Sequence, residues 1–487
     1  MWACLKDNLW SILLGINYAL VIVFSILILL KNKNPVKTLS YIFALAIFPF
    51  LGLIVYYLFG QDYRKSKIFE KKYILDNNSI KQWRKKFRLN SEEREDFEEA
   101  YGEGISKIYK LLRNNERAVL SFDNDLELLI NGEEKFKKLE TDLNNATNHI
   151  HLEYFVLIDD ELGLKIINLL CKKAQQGIKV RLIYDDVGSS IALKTKKRMT
   201  KCGVAHYPFM PVIFSNSTSK LNYRNHRKIV IIDGEIGYLG GINIEKKYDN
   251  SFNNERYWRD THVRLVGGAV GSLQSLFLLS WNFVSKDNLE IAQNFFPKVK
   301  AGTNVPVAIQ LAASGSDSDW ANIMEAIFCA INMANERIYI TSPYFIPNDS
   351  ILTALTTAAR SGIDVRMIIP YKSDSWPAQY ATDSYIAQCL NSGMRIFRYK
   401  KGFVHAKTML IDNVFSTIGT ANLDNRSLSI NFEVNALIYN KSVNEQLVTI
   451  FNADLKDSEE VNVERWQERV ISRKLQESFS RLLAPLL

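Results

Sequence analysis

NHRKIVIIDGEIGYLGGIN runs from Asn225 to Asn243, and VHAKTMLIDNVFSTIGTAN from Val404 to Asn422. At an offset of 179 the second stretch lies on the first without a gap, setting His405 on His226, Lys407 on Lys228, Asp412 on Asp233, Gly419 on Gly240 and Asn422 on Asn243. What repeats is H-x-K-x-x-x-x-D, with Asn ten residues after the Asp.

Each copy reads as a hairpin, because an apolar run enters an Asp-Gly or Asp-Asn turn and a second apolar run leaves it. His and Lys two positions apart on a strand point to one face. Folding about the turn then returns Asn243 to the side of His226 and Asn422 to the side of His405. Imidazole, ammonium and amide together suit a phosphate ester: the imidazole attacks phosphorus or moves a proton, and the other two hold the non-bridging oxygens. A single histidine in a strand is usually a packed structural residue. A gapless second copy of its surroundings, in a chain with 6 His, points instead to shared chemistry. Asp233 and Asp412 sit at the turns, where geometry favours holding the hairpin or the domain interface over touching phosphate.

The duplication extends beyond the hairpins. LELLING from Leu126, EEKFKKLETDLNNAT, HIHLEYFVL, LGLKIINLLCKKAQQ and IKVRLIYDD read as strand, helix, strand, helix, strand. ANIMEAIFCAINMAN, RIYITSPYFI, ILTALTTAARS and IDVRMIIP repeat that alternation later, with Gly362 matching Gly177 at an offset of 185 and Gly393 matching Gly203 at 190. The expected class is α/β, with two tandem domains at 117–295 and 296–487 sharing one active site. Beyond each hairpin an alternating run carries a carboxylate, Asp260 in NERYWRDTHVRLV and Glu433 in SINFEVNALIY. Each is expected to accept the second ring N–H of the histidine in its own repeat, orienting it and stabilising the imidazolium. The competing reading pairs the acids with Arg259 or Arg426.

At 487 residues the chain holds two or three domains, and its net charge of +9 predicts attraction to anionic lipid or nucleic acid without choosing between them. Its five cysteines (Cys4, Cys171, Cys202, Cys329 and Cys389) are scattered and in no CxxC spacing, so neither a disulfide framework nor a zinc site is indicated and a reducing compartment fits.

Leu9–Leu30 and Thr38–Phe59 are each 22 residues without a charge, enough to cross a bilayer, and residues 1–60 read as a two-span transmembrane helical hairpin. A cleaved signal peptide fits less well, because the first apolar run is long and a second follows. The linker holds Lys31, Lys33 and Lys37, whereas Lys6, Arg64, Lys65, Lys67, Lys71 and Lys72 flank the hairpin, which puts the bulk of the chain in the cytoplasm. Residues 61–116 carry both charge signs and read as a connecting region of mostly solvated helix. His149, His151 and His206 read as structural. His262, two residues after Asp260 on the same strand face, is a candidate to lie near substrate. The ending from Val463 to Leu487 has helical apolar spacing and is expected to pack on the second domain, a membrane-facing amphipathic helix being the alternative.

With its doubled signature, and with IHLEYFVLIDDELG, VRLIYDDVGS, YWRDTH, TSPYFIPND, GTANLDNRS, NFEVNALIY and the RLLAPLL ending, the chain resembles the phospholipase D superfamily and, more narrowly, bacterial cardiolipin synthases. The resemblance implies two phospholipase D-like domains and a catalytic set of His226, Lys228, Asp233, His405, Lys407 and Asp412, with Asn243 and Asn422 on the substrate. It implies transfer of a phosphatidyl group from one phosphatidylglycerol to another through a phosphohistidine, without metal or cofactor. His226 is then the nucleophile and His405 the acid and base. Expected partners are phosphatidylglycerol and anionic membrane lipid rather than nucleic acid, at a bacterial cell membrane. The rival readings are a membrane-bound phospholipase D that hydrolyses lipids and, more remotely, a nuclease of the same superfamily.

Overall fold

The computed structural model describes residues 9–31, 35–47, 84–85, 91–114, 118–211, 223–285, 289, 293–297, 306–318 and 320–484. A seven-stranded sheet takes the order Asn124–Ile130, Thr261–Gly267, Ile236–Gly240, Lys228–Ile232, His149–Tyr154, Lys179–Asp185, Ala205–Phe209. A nine-stranded sheet contains the same series, Ala308–Ser314, Glu433–Tyr439, Phe415–Gly419, Thr408–Ile411, Arg337–Thr341, Asp364–Pro370, Arg395–Tyr399, with Leu120–Ser121 and Ser458–Glu460 added at its edges. In both series the first four junctions are antiparallel and the last two parallel. Two tandem α/β folds with one strand order are therefore present, and each signature hairpin supplies two central strands of its sheet.

The run KIVII carries no polar alternation because both faces of its strand are covered. Val230 and Ile232 face the layer formed by helices Asn131–Asn145, Glu161–Gln175 and Leu193–Cys202, while Ile229 and Ile231 enter a core shared by both sheets. In that shared core helix Gly268–Ser285 contributes Leu273, Phe277 and Trp281, and its counterpart Lys441–Lys456 contributes Val443, Leu447 and Phe451. Each fully buried Ile is worth about 1.5–3 kcal/mol relative to exposure. Asp160 caps one helix through Gly163 N at 2.9 Å, and Asn348, the matching residue, caps its equivalent through Ile351 N at 2.9 Å.

Two expectations change. Helix Ser91–Asn114 is not a solvated connector: Phe97, Ile108 and Leu112 pack among Ile323, Ala330 and Ile340 of the second domain. Its apolar residues recur at helical spacing beneath an acidic composition that masked them. Cys171 and Cys202, 31 residues apart, are joined by a disulfide with Cα–Cα 5.3 Å. Two adjacent helices bring them together, which spacing alone could not show, and the compositional ground for a reducing compartment goes with it.

The ending forms helix Ile471–Leu482 on helix Trp376–Asn391, but it packs by its polar side; Glu477 and Ser480 are buried, and Ile471, Leu475, Phe479 and Leu482 are exposed. At the other end, Leu9–Lys31 is one 23-residue helix that contacts helix Pro35–Ile47. Among the described residues no helix is long and apolar enough to cross a membrane. Many side chains of the first expected span, and the second expected span beyond Ile47, lie outside the described residues.

Candidate active site

The two signature strands begin where the two halves meet. His226 N donates to Phe432 O at 2.9 Å, and His405 N donates to Arg259 O at 2.7 Å. Residues Gly402–Val404 also pair in parallel with Tyr257–Arg259. Phe432 and Arg259 each precede a carboxylate, so Glu433 and Asp260 are delivered to the histidine of the opposite repeat. Nδ1 of His226 lies 2.9 Å from Glu433 Oε1 and 3.0 Å from Oε2, and Nδ1 of His405 lies 2.7 Å from Asp260 Oδ2. This exchange corrects the expected pairing within each repeat. The arginine alternative does not hold either: Arg259 Nε donates to Asp454 at 2.7 Å, and Arg426 Nε to Asn431 at 3.2 Å.

Both histidines are buried, and their charges act on one another across a single site. Burial lowers the pKa of His226, opposed by Glu433 and reinforced by Lys228; burial, with Lys407 and Lys228 after it, holds His405 well below the ordinary imidazole value. Lys228 Nζ donates to His226 O at 2.7 Å, and Lys407 Nζ lies 2.9 Å from His405 Nδ1 and also donates to His405 O. Burial lowers Lys228 to about 7 and Lys407 to about 8, each drawn back up by nearby carboxylates. Burial raises Asp260 to about 6, against the pull of Lys407. A Cβ on Gly241 would fall 2.2 Å from Asp260 Oδ1, so glycine there leaves the space the carboxylate occupies. Two imidazoles with lowered proton affinity, two ammonium groups and the carboxylates Glu433 and Asp260 thus act on one another in one buried cluster.

The remaining candidates divide. Asn243 accepts from Val156 N at 3.2 Å and donates to Tyr248 OH at 2.7 Å, and the Tyr248 ring stands edge-on to His405 with centroids 5.4 Å apart. Asn422 is buried with its Oδ1 free of any hydrogen bond among the described residues. Asp233 and Asp412, carried in the catalytic set, do not enter the site. They lie beyond the far ends of the signature strands, ~23 Å along the strand from the histidines and ~17 Å from the lysines at about 3.3 Å per residue. Asp233 accepts from Thr147 N, Asn148 N and His149 N at 2.8–2.9 Å, and Asp412 from Asn335 N, Glu336 N and Arg337 N at 2.8–3.2 Å. Both adopt the left-handed turn conformation, φ 56° and 49°, which aspartate tolerates.

His149 and His151 are structural: both contact Gln274, and His151 stacks on Phe277 at 4.4 Å. His206 bonds Thr200 and the Lys196 carbonyl. His262 is fully buried behind the site, beside Lys135 and Lys228, and neither ring nitrogen has a partner among the described residues. Sequence reasoning missed Phe155, Trp258 and Tyr248, which wall the imidazoles at 4.8–5.4 Å, and Thr420, whose hydroxyl donates to Glu433 at 2.5 Å. Their signal was adjacency to quoted motifs, Trp258 in YWRDTH and Thr420 in GTANLDNRS. Among the described residues no group of three or more His, Cys, Asp and Glu side chains is arranged to hold a metal ion.

Residues 139–266 and 327–455 match the family described as "Cardiolipin synthase, PLD-like domain", and residues 19–61 match "Phospholipase_D-nuclease N-terminal". The chain is 40% identical to cardiolipin synthase 2 of Bacillus anthracis over 94% of its own length and 88% of that protein's. It is 38% identical to a major cardiolipin synthase of Bacillus subtilis over 98% of its length and 99% of the other's. Its fold superposes on a crystal structure of phosphatidylserine synthase from Haemophilus influenzae with a TM-score of 0.59 at 14% identity, covering 78% of this chain and 100% of that one. The chain belongs to the bacterial cardiolipin synthase family of the phospholipase D superfamily, and it is a phosphatidyltransferase.

Proposed function

We propose that this enzyme transfers a phosphatidyl group from one phosphatidylglycerol to a second, giving cardiolipin and glycerol through a phosphohistidine. The observation that carries the reading is the exchange of carboxylates. Each imidazole is held at Nδ1 by the other half of the molecule, which leaves Nε2 of both rings to face one substrate. Nε2 of His226 attacks phosphorus; the P–O bond to glycerol breaks, and the alkoxide takes a proton from Nε2 of His405. The second phosphatidylglycerol then gives its hydroxyl proton to His405, its oxygen bonds phosphorus, and the P–N bond breaks to restore His226.

Lys228, Lys407, Asn243 and Asn422 act on the non-bridging oxygens, where charge builds in the pentacoordinate transition state. Neutral His226 suits the attacking role. A bound phosphodiester anion opposes the lysine charges and raises the proton affinity of His405, supplying the imidazolium that the first step consumes. Asp233 and Asp412 hold the hairpins that aim these groups. Glu433 and Asp260 keep the rings in one tautomer.

Lipid as acceptor must outcompete water at about 55 M, so the site has to be dry and rich in lipid. The walls of Phe155, Tyr248 and Trp258 support the first requirement. A two-span hairpin in residues 1–60, supported by the uncharged 22-residue runs and the family match over 19–61, would meet the second. It would make the protein multi-pass at the cell membrane, with the units at 117–295 and 296–487 on the cytoplasmic side by the basic-residue count.

The test is incubation of purified enzyme with phosphatidylglycerol, with lipid analysis and trapping of acid-labile phosphoprotein. Cardiolipin, glycerol and a label on His226 are expected. Phosphatidic acid as the main product would make it a hydrolase, and absence of a phosphoprotein intermediate would remove the covalent step.

A further inference from the structure

Helix Ile471–Leu482 reverses the usual arrangement of a surface helix. Its inward side is polar: Arg473 pairs with the buried Asp383 at 3.1 Å, Arg469 pairs with the buried Glu477 at 2.7 Å, and Arg481 lies over the Tyr385 ring at 4.4 Å. Its outward side is apolar. Ile471 is 76% exposed, Leu475 65%, Phe479 58% and Leu482 76%, at the i, i+4, i+8, i+11 spacing of one stripe. Ionic anchors hold the helix to the protein and leave the stripe to something else.

The apolar surface continues toward the cleft. The helix lies on Trp376–Asn391, and that helix begins with exposed Trp376, just after exposed Tyr371. Between those two residues Asp374 bonds the Tyr344 hydroxyl at 2.8 Å and its charge acts on Lys407, so this loop borders the active site. The equivalent loop of the first half is built alike: Asp185 acts on Lys228, and the residues that follow include exposed Val187 and Leu193. In both halves, then, exposed apolar residues follow the strand end that carries an acid acting on a signature lysine. On the helix itself the one carboxylate, Glu477, is buried, while Lys474 is exposed beside the stripe.

We infer that the stripe of helix Ile471–Leu482, with the Tyr371 and Trp376 rim, is a docking face for the interface of an anionic bilayer. An apolar stripe flanked by cations, with tryptophan and tyrosine at the margin, is the composition that inserts at the headgroup and acyl boundary. Docked in this way, the face brings the cleft mouth down to the lipid plane. The choice of occupant rests on the lipid-substrate reading above, and the labelling test below needs no turnover.

Full-length enzyme is mixed with phosphatidylglycerol vesicles carrying a diazirine on the acyl chain, photolysed and mapped by peptide mass spectrometry. Adducts on residues 470–484 are expected, above those on helix Lys441–Lys456 and fewer with phosphatidylcholine vesicles. The triple variant I471S/L475S/F479S, whose changes are all at exposed positions, should melt like the parent. It should show an apparent KM for vesicle-borne phosphatidylglycerol about tenfold or more higher, with unchanged turnover of detergent-dispersed lipid. Absence of adducts on 470–484, an unchanged vesicle KM, or Lys474-to-Lys474 crosslinks between two copies in place of lipid labelling would each overturn the inference.

Discussion

Glu433, from the second repeat, sits 2.9 Å from Nδ1 of His226 in the first, and the reciprocal pair, Asp260 with His405, closes at 2.7 Å. Neither half holds a complete site. A backbone bond sets each crossing, because the residue just before each carboxylate accepts from the amide of the opposite histidine.

The crossing predicts specific coupling. Glu433→Gln and Asp260→Asn should each lower kcat by about 10²–10⁴, as expected when a carboxylate no longer sets the tautomer and stabilises the imidazolium. In double-mutant cycles on intermediate formation, Asp260→Asn should be strongly non-additive with His405→Ala, whereas Glu433→Gln should be close to additive with it. Stronger coupling within a repeat would contradict the exchanged geometry.

His226→Ala and His405→Ala should each abolish cardiolipin formation while leaving the melting temperature within a few degrees of the parent. Only the parent and His405→Ala should accumulate a phosphoprotein, the variant slowly. Substantial turnover by either variant would rule out a shared two-histidine mechanism.

Activity should follow a bell-shaped pH profile. Below about 6 Asp260 takes up a proton and His405 loses its anionic partner, so kcat/KM falls on the acid side. As pH rises through about 7 to 8, Lys228 and then Lys407 lose the charge that attracts phosphate, so it falls on the alkaline side as well. Asp260→Asn should remove the acid limb and keep the alkaline one. A profile flat from pH 5 to 9 would show that these groups do not control the free enzyme.

Asp233→Ala and Asp412→Ala should act on stability instead of chemistry. Each removes an acceptor of three backbone N–H bonds at a left-handed turn, a loss of about 2–4 kcal/mol by denaturant unfolding. The kcat of the folded fraction should stay within about threefold of the parent. A loss of kcat comparable to that of the histidine variants, at unchanged stability, would return these residues to the chemistry.

Much of this molecule was readable along the chain because its information is local. The hairpins, the continuous runs KIVII and TMLI and the duplication all follow from periodicity and turn chemistry acting over a few residues, and both seven-strand series agree with them. The helix at Ser91–Asn114 and the Cys171–Cys202 bond escaped because each depends on a surface supplied from elsewhere in the chain. The closing helix showed its amphipathic spacing, but not which side it would bury.

The meeting of His226, Lys228, His405 and Lys407 was readable from sequence alone, since a strand's period of two sets where such neighbours point. Which carboxylate serves which histidine was not. Within one repeat Asp260 and Glu433 occupy equivalent places, and pairing inside the repeat is as consistent with the spacing as pairing across it. Only the packing of two sheets on one shared core decided that, by laying the start of each signature strand against the segment that carries the other half's acid.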